Sequence, residues 1–202
     1  MMNACARWSF LAVPVLAALG CSDPVPLPAQ AAVTLGLQGP LDDSTKCPVG
    51  AGKSYQVGAK KKVGTVITVQ APNDVTPGTS VIDGEGGVSV SCSVRKQADG
   101  SFKFNGSLSA SSSENDPITV TIANGLINSD KVTGTGSVSV FTPQLAGTYS
   151  SGATPCAFKV INAQVKGGSI WVDFTCSSIA SPPSKECAVV SSTIVFENCS
   201  GS

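Results

Sequence analysis

The sequence predicts an all-β domain, a two-sheet antiparallel sandwich stabilised by disulfides, and three observations carry that expectation. Apolar residues alternate with Ser, Thr and Gly through most of the chain, without the 3.6-residue period of an amphipathic helix. Turn dipeptides recur at short intervals, at Pro77-Gly78, Asp83-Gly84, Asp99-Gly100, Asn124-Gly125 and Gly167-Gly168. Cys47, Cys92, Cys156, Cys176, Cys187 and Cys199 make an even set, which in an exported domain reads as three disulfides with fifteen possible pairings.

Export is read from the first residues. Residues 1–20 form a signal peptide: Arg7 gives the basic n-region, and an apolar run from Phe10 to Leu19 is broken only by Pro14. That run falls short of the ~20 apolar residues that span a bilayer. It ends in Ala18-Leu19-Gly20-Cys21, which resembles the bacterial lipobox. The resemblance implies cleavage before Cys21, lipidation of its sulfur and acylation of the new amino terminus. Several acyl chains on one cysteine anchor stably in the lipid bilayer, where one chain alone is marginal. Ala29-Gln30-Ala31 also fits an ordinary secretory cleavage site but lies well past the apolar run. Ser22 after the cysteine favours sorting to the outer membrane under the enterobacterial rule, so the expected address is the cell envelope, on its periplasmic or surface face.

Residues 21–31 then form a tether. Prolines at 24, 26 and 28 favour an extended segment without a core. Residues 32–202 form one β domain, with strands expected at Val33 to Leu37, Val63 to Val69, Ile118 to Ile122, Gly136 to Phe141 and Val189 to Phe196. Two hairpins can be placed in register. A three-residue loop at Ala98-Asp99-Gly100 sets Val94 opposite Phe104 and Val90 opposite Leu108, with Gly100 in the left-handed conformation of a G1 bulge. A two-residue turn at Gly167-Gly168 pairs Lys166 with Ser169, and sets Val165 opposite Ile170, Ala163 opposite Val172 and Ile161 opposite Phe174. Cys187 and Cys199 flank the last strand. A fully extended strand would hold them beyond disulfide reach, so they bond elsewhere unless that strand bends.

The interval from VSVSC at Cys92 to WVDFTC at Cys176 resembles the mycobacterial surface lipoprotein antigens, in which a lipidated cysteine precedes a Gly/Ser/Thr/Val-rich β domain with a cysteine near each end. It covers less than half of the chain, which carries four further cysteines and a C-terminal extension. The resemblance implies architecture and surface exposure; it transfers no functional residue.

Charge and residue types narrow the chemistry. Without Arg7, twelve basic residues face thirteen acidic ones, so no basic face for nucleic acid is expected. Lys60-Lys61-Lys62 reads as a solvated loop. The chain has no histidine, which removes Ser-His-Asp and Cys-His catalysis; with no C-x2-C pair either, no zinc site is expected. Asp42, Asp43, Asp83, Glu85, Glu114 and Asp116 mostly adjoin turns, where carboxylates cap the backbone. Val49 to Ser54 superficially follows a phosphate loop, but Cys47 stands where its first Gly belongs. Asp83 to Gly87 brings two carboxylates, too few for calcium. No cofactor, no metal and no enzymatic activity are expected.

One surface carries a sharper expectation. In the Gly167-Gly168 register the second face presents Trp171 opposite Gln164, Asp173 opposite Asn162, and Lys166 at the turn. A ring flanked by amides and a carboxylate suits a sugar platform. Trp171 is the only tryptophan after the leader. The competing expectation is a Trp171 covered by neighbouring strands. The function expected is therefore a membrane-anchored, non-catalytic binding or adhesion module with polysaccharide or an envelope protein as partner. The alternatives are a structural envelope lipoprotein without small ligand and a carboxylate hydrolase.

Overall fold

The computed structural model describes residues 25–39, 46–49, 52–58, 80–111, 116–181 and 185–201. The leader expected at residues 1–20, Cys21, Asp42, Asp43, Lys60 to Lys62, the strand expected at Val63 to Val69, Pro77-Gly78 and Glu114 lie outside them. Among the described residues eleven strands follow one another: β1 (Gln30–Gln38), β2 (Lys53–Val57), β3 (Val81–Ile82), β4 (Ser89–Lys96), β5 (Phe102–Ser111), β6 (Pro117–Ile127), β7 (Thr133–Thr142), β8 (Gly147–Ser150), β9 (Cys156–Lys166), β10 (Ser169–Ser181) and β11 (Lys185–Glu197). A 3₁₀ turn at Pro143–Leu145 joins β7 to β8. The all-β, disulfide-bonded domain expected from the alternating pattern is present.

Strand pairing joins all eleven strands into one antiparallel sheet, ordered β2-β1-β11-β10-β8-β7-β6-β5-β4, with β3 beside β1 and β9 bridging β10 and β7. This differs from two separately bonded sheets. The strands β8 and β9 share one lane between β7 and β10: Ser139 pairs with Ser150, while Gly136 pairs with Cys156. The residues between them bulge out, and the pairings of β7, β8, β10 and β9 close on themselves as a four-strand circuit. Ser151 stitches the bulge, its N–H donating to the Val138 carbonyl at 2.9 Å and its hydroxyl accepting the Val138 N–H at 3.1 Å.

The far end of the sheet returns to its middle. The edge of β4 is met by the C-terminal segment, where Val94 N–H donates to the Ser200 carbonyl and Ser200 N–H to the Cys92 carbonyl. Gly168, at the β9–β10 turn, donates to the Val94 carbonyl. The Cys92–Cys199 disulfide holds this seam. Of the fifteen pairings left open by sequence, the structure selects Cys47–Cys187, Cys92–Cys199 and Cys156–Cys176. Cys187 and Cys199 thus bond elsewhere, as the extended strand between them requires.

Inside the rolled sheet lies one contiguous core containing Leu35, Val94, Phe104, Phe158, Phe174, Ile194 and Phe196. Phe104 packs edge-on to Phe158 with centroids 5.3 Å apart, and Phe158 lies 6.2 Å from Phe174, geometry that contributes beyond simple burial. The β4–β5 hairpin has the expected register, with Val94 opposite Phe104, Val90 opposite Leu108 and Gly100 at φ 86°. Asn124-Gly125, expected as a turn, is instead a bulge inside β6: Asn124 has φ 54° and the ladder shifts between Ala123 and Leu126. The reason is packing. The Phe104 ring lies where a Gly125 Cβ would stand, 2.4 Å away, and the Asn105 side chain accepts the Asn124 N–H at 2.9 Å.

Gly106 of β5 lies under the Phe196 ring, whose carbons would come within 2.4–2.9 Å of an added Cβ. Gly106→Ala should destabilise the oxidised domain by ~1–3 kcal/mol, read as a lower urea midpoint. Adding Phe196→Leu should compensate in part, and an unchanged midpoint in the single variant would disprove this contact.

Candidate functional site

The Gly167-Gly168 hairpin starts in the expected register and then leaves it. Ser169 pairs with Lys166 and Ile170 with Val165, but Val172 pairs with Val160, Asp173 with Lys159 and Phe174 with Phe158. Two constraints collide here. The turn sets one register, whereas the Cys156–Cys176 disulfide requires Ala157 opposite Thr175, three residues out of step. The excess is absorbed as a bulge in β9 facing Trp171, where Ala163 has φ 55°.

That bulge dismantles the expected sugar platform. Trp171 is only 9% exposed and packs with Ala32, Ile161 and Val195 in a small apolar cluster. Its Nε1 donates to Glu197 Oε1 at 3.2 Å. Ala32, Val195 and Trp171 form one row across β1, β11 and β10, and Ile161 is contributed by the bulged strand. Asp173 faces Lys159 rather than Asn162, and accepts a hydrogen bond from the Thr193 hydroxyl at 2.7 Å. Gln164 is exposed in the bulge. Exposed Lys166 borders a groove of about 540 Å³ with Pro26, Leu27 and Gln30. The side chain of Asn162 lies outside the described residues. The five residues therefore do not form one face.

A different surface is built instead. The outward positions of β4 to β8 fall into cross-strand rows. Ser91 pairs with Ser107, Ser107 with Thr121, Thr121 with Ser139 and Ser139 with Ser150. The next row runs Ser89, Ser109, Thr119, Phe141, Thr148. Neighbouring strands lie about 4.8 Å apart, so each row spans roughly 19 Å. The hydroxyls bond sideways, Ser107 with Thr121 at 3.1 Å, Thr119 to Ser109 at 3.0 Å and Ser139 with Ser150 at 2.8 Å.

Neither row contains a charged side chain. Charge stands at both borders, where Arg95 faces Lys103 beyond Ser93 and Asn105, and where Lys53 pairs with Asp116 beside the start of β6. In the second row the Phe141 ring stands 39% exposed between Thr119 and Thr148. A shallow trough of about 420 Å³ crosses β4 to β6, with Ser91, Ser93, Asn105, Ser107, Thr121 and Ser200 in its lining. The alternations VSVSC, SLSAS, ITVTI and SVSVF are legible in sequence. Their alignment into rows depends on strand partners that sequence does not name.

A second polar cluster sits where β2 meets the start of β6. Lys53 Nζ lies 2.9 Å from Asp116 Oδ2 and 5.0 Å from the Tyr55 ring centroid. The Tyr55 hydroxyl shares a 3.3 Å hydrogen bond with the Thr142 hydroxyl, which donates to Gln144 Oε1 at 2.9 Å. Lys53 and Ser54 stand in a strand, not at the helix start a phosphate loop needs. The Lys53 ammonium first, and then the Gln144 side chain, hold the Asp116 carboxyl below the ordinary carboxylate value. Among the described residues no group of three or more metal-ligating side chains converges. Asp83, Asp99 and Asp130 each accept a backbone N–H, from Val90, Ser101 and Val132.

Two measurements check this geometry. With Trp8 replaced by Phe, Trp171 emission should be blue-shifted and protected from acrylamide, and a red-shifted, freely quenched emission would contradict its burial. Because the Asp116 value is lower folded than unfolded, its contribution to stability is present above about pH 4 and is lost as pH falls through the depressed value. Asp116→Asn should therefore flatten the acid limb of the melting temperature, and an unaltered acid limb would show that this pair contributes nothing to stability.

Compared with protein-family models, curated proteins and solved structures, the chain matches none.

Proposed function

We propose that the chain is a membrane-anchored, non-catalytic binding or adhesion module of the cell envelope, whose partner is a polysaccharide or another envelope protein. The observation that carries this reading is the uncharged hydroxyl face laid across five strands. Soluble sheets usually keep such a face wet with charged side chains; an array of short neutral hydroxyls can shed water at much lower cost than charges can. The lipobox residues Ala18 to Cys21 supply an anchor, and three disulfides fit an oxidising compartment.

We also read the rolled sheet as two facing layers, which is the sandwich expectation in its finer form. Phe196 of β11 lying against Gly106 of β5 supports it.

The burial of Trp171 favours a second reading, a structural envelope lipoprotein without a small ligand. A carboxylate hydrolase has the least support, since Asp83, Asp99, Asp130 and Asp173 are each engaged in a local hydrogen bond.

Anchoring is tested by Cys21→Ser. That variant should move from the membrane fraction to the soluble one and lose its partition into detergent. Retention in the membrane would refute the lipid anchor.

A further inference from the structure

We infer that the face formed by β4 to β8 docks on an extended, uncharged polysaccharide, with Phe141 as its stacking ring and the Ser91-to-Ser150 row as its hydrogen-bonding track. This deepens the proposed binding role and rests on it. Three features of the face select the ligand class.

The first is charge. The rows from Ser91 to Ser150 and from Ser89 to Thr148 carry no ionisable group. A polyanion such as nucleic acid or an acidic glycan is recognised through lysines and arginines that neutralise it. Here the cations at the borders of the rows are Arg95 and Lys103 at one end and Lys53, engaged with Asp116, at the other. A neutral partner is the complement of a neutral face.

The second is the hydroxyl chemistry. Each Ser or Thr hydroxyl both donates and accepts and rotates to suit its neighbour. The pairs Ser107 with Thr121 and Ser139 with Ser150 already form short chains. A sugar hydroxyl can join such a chain as donor or acceptor, so no position demands one orientation of the polymer. A regular row about 19 Å long favours an extended polymer over a single sugar.

The third is the ring. Phe141 is the one aromatic side chain in these rows, and its neighbours Thr119 and Thr148 are polar. An exposed phenyl between hydroxyls offers a π face to sugar C–H groups while the hydroxyls take the polar edge. The face expected around Trp171 had amides and a carboxylate beside its ring; here threonine hydroxyls flank the ring instead. Individual contacts of this kind are weak. Many anchored copies on one membrane, engaging one polymer, raise the effective affinity without further contacts.

The test is co-sedimentation of the full exported chain with amorphous cellulose, an insoluble β-1,3-glucan and cross-linked dextran, with carboxymethyl cellulose as the anionic comparison. The native chain should sediment with at least one neutral glycan. Its retention should be unchanged between low and high salt, since no ion pair is involved. Thr121→Lys and Phe141→Ala should each weaken retention about tenfold, while the distant Lys159→Ala should leave it intact. Thermal melts identical to the native protein establish that the variants fold.

Retention by a neutral glycan that is indifferent to Thr121→Lys and Phe141→Ala would overturn this face while leaving a binding module. Retention only by the anionic polymer, abolished by salt, would overturn the ligand class. No retention by any neutral glycan would overturn the inference outright. The Cys21→Ser fractionation reports on the anchor independently of all three outcomes.

Discussion

The seam between β4 and the C-terminal segment is the contact on which the rest of the structure depends. A sheet of this length has two ends, and an unpaired edge is both an unsatisfied row of backbone groups and a template for aggregation. The β4 end is closed by Ser200, by Gly168 and by the Cys92–Cys199 disulfide. The cross-link joins residues 107 apart. Closing a loop that long removes much freedom from the unfolded chain, so the stabilisation is of the order of a few kcal/mol. Closing the seam also brings β5 over β11, and only then can Phe196 bury its ring against Gly106. Core and seam are therefore formed together.

Competition between covalent and hydrophobic constraints decides the other half of the molecule. The Gly167-Gly168 turn and the Cys156–Cys176 bond ask for registers that differ, and neither yields. The disulfide register also places Phe158 against Phe104 and Phe174, so a gain in packing accompanies it. The cost falls on the short segment from Ile161 to Gln164, which leaves the ladder. Ile161 is thereby turned onto Trp171, and a ring that the ideal hairpin would expose becomes covered. The same logic makes Asn124-Gly125 a bulge under Phe104 instead of a turn.

These internal solutions leave a scaffold with unlike surfaces. One outer region, across β1, β11 and β10, is partly apolar and self-covered, with Ala32, Val195 and Trp171 in a row. The region across β4 to β8 presents two neutral rows, hydroxylated except at Phe141. Solubility there rests on short hydroxyls and not on charge. Those side chains have little rotamer entropy to lose when they are ordered. The Cys92–Cys199 bond ties the β4 end of the rows to the C-terminal segment.

How much of this is legible in the sequence follows from the range of the forces involved. Alternation, turn chemistry and cysteine parity act over a few residues, so the all-β class, the Asp99-Gly100 hairpin with its register, and the set of bonded cysteines can all be read from the chain alone. The alternating serines and threonines of β4, β5, β6 and β7 are equally visible as patterns. Their convergence into one face is not, because row alignment requires knowing which strand lies beside which. Nor can local signals show that Cys156 must meet Cys176, and that single long-range demand shifts the β9–β10 register and buries Trp171. Sequence by itself determined what each strand presents on its two sides; tertiary structure decided which sides meet, because disulfides and ring packing act between residues far apart in the chain.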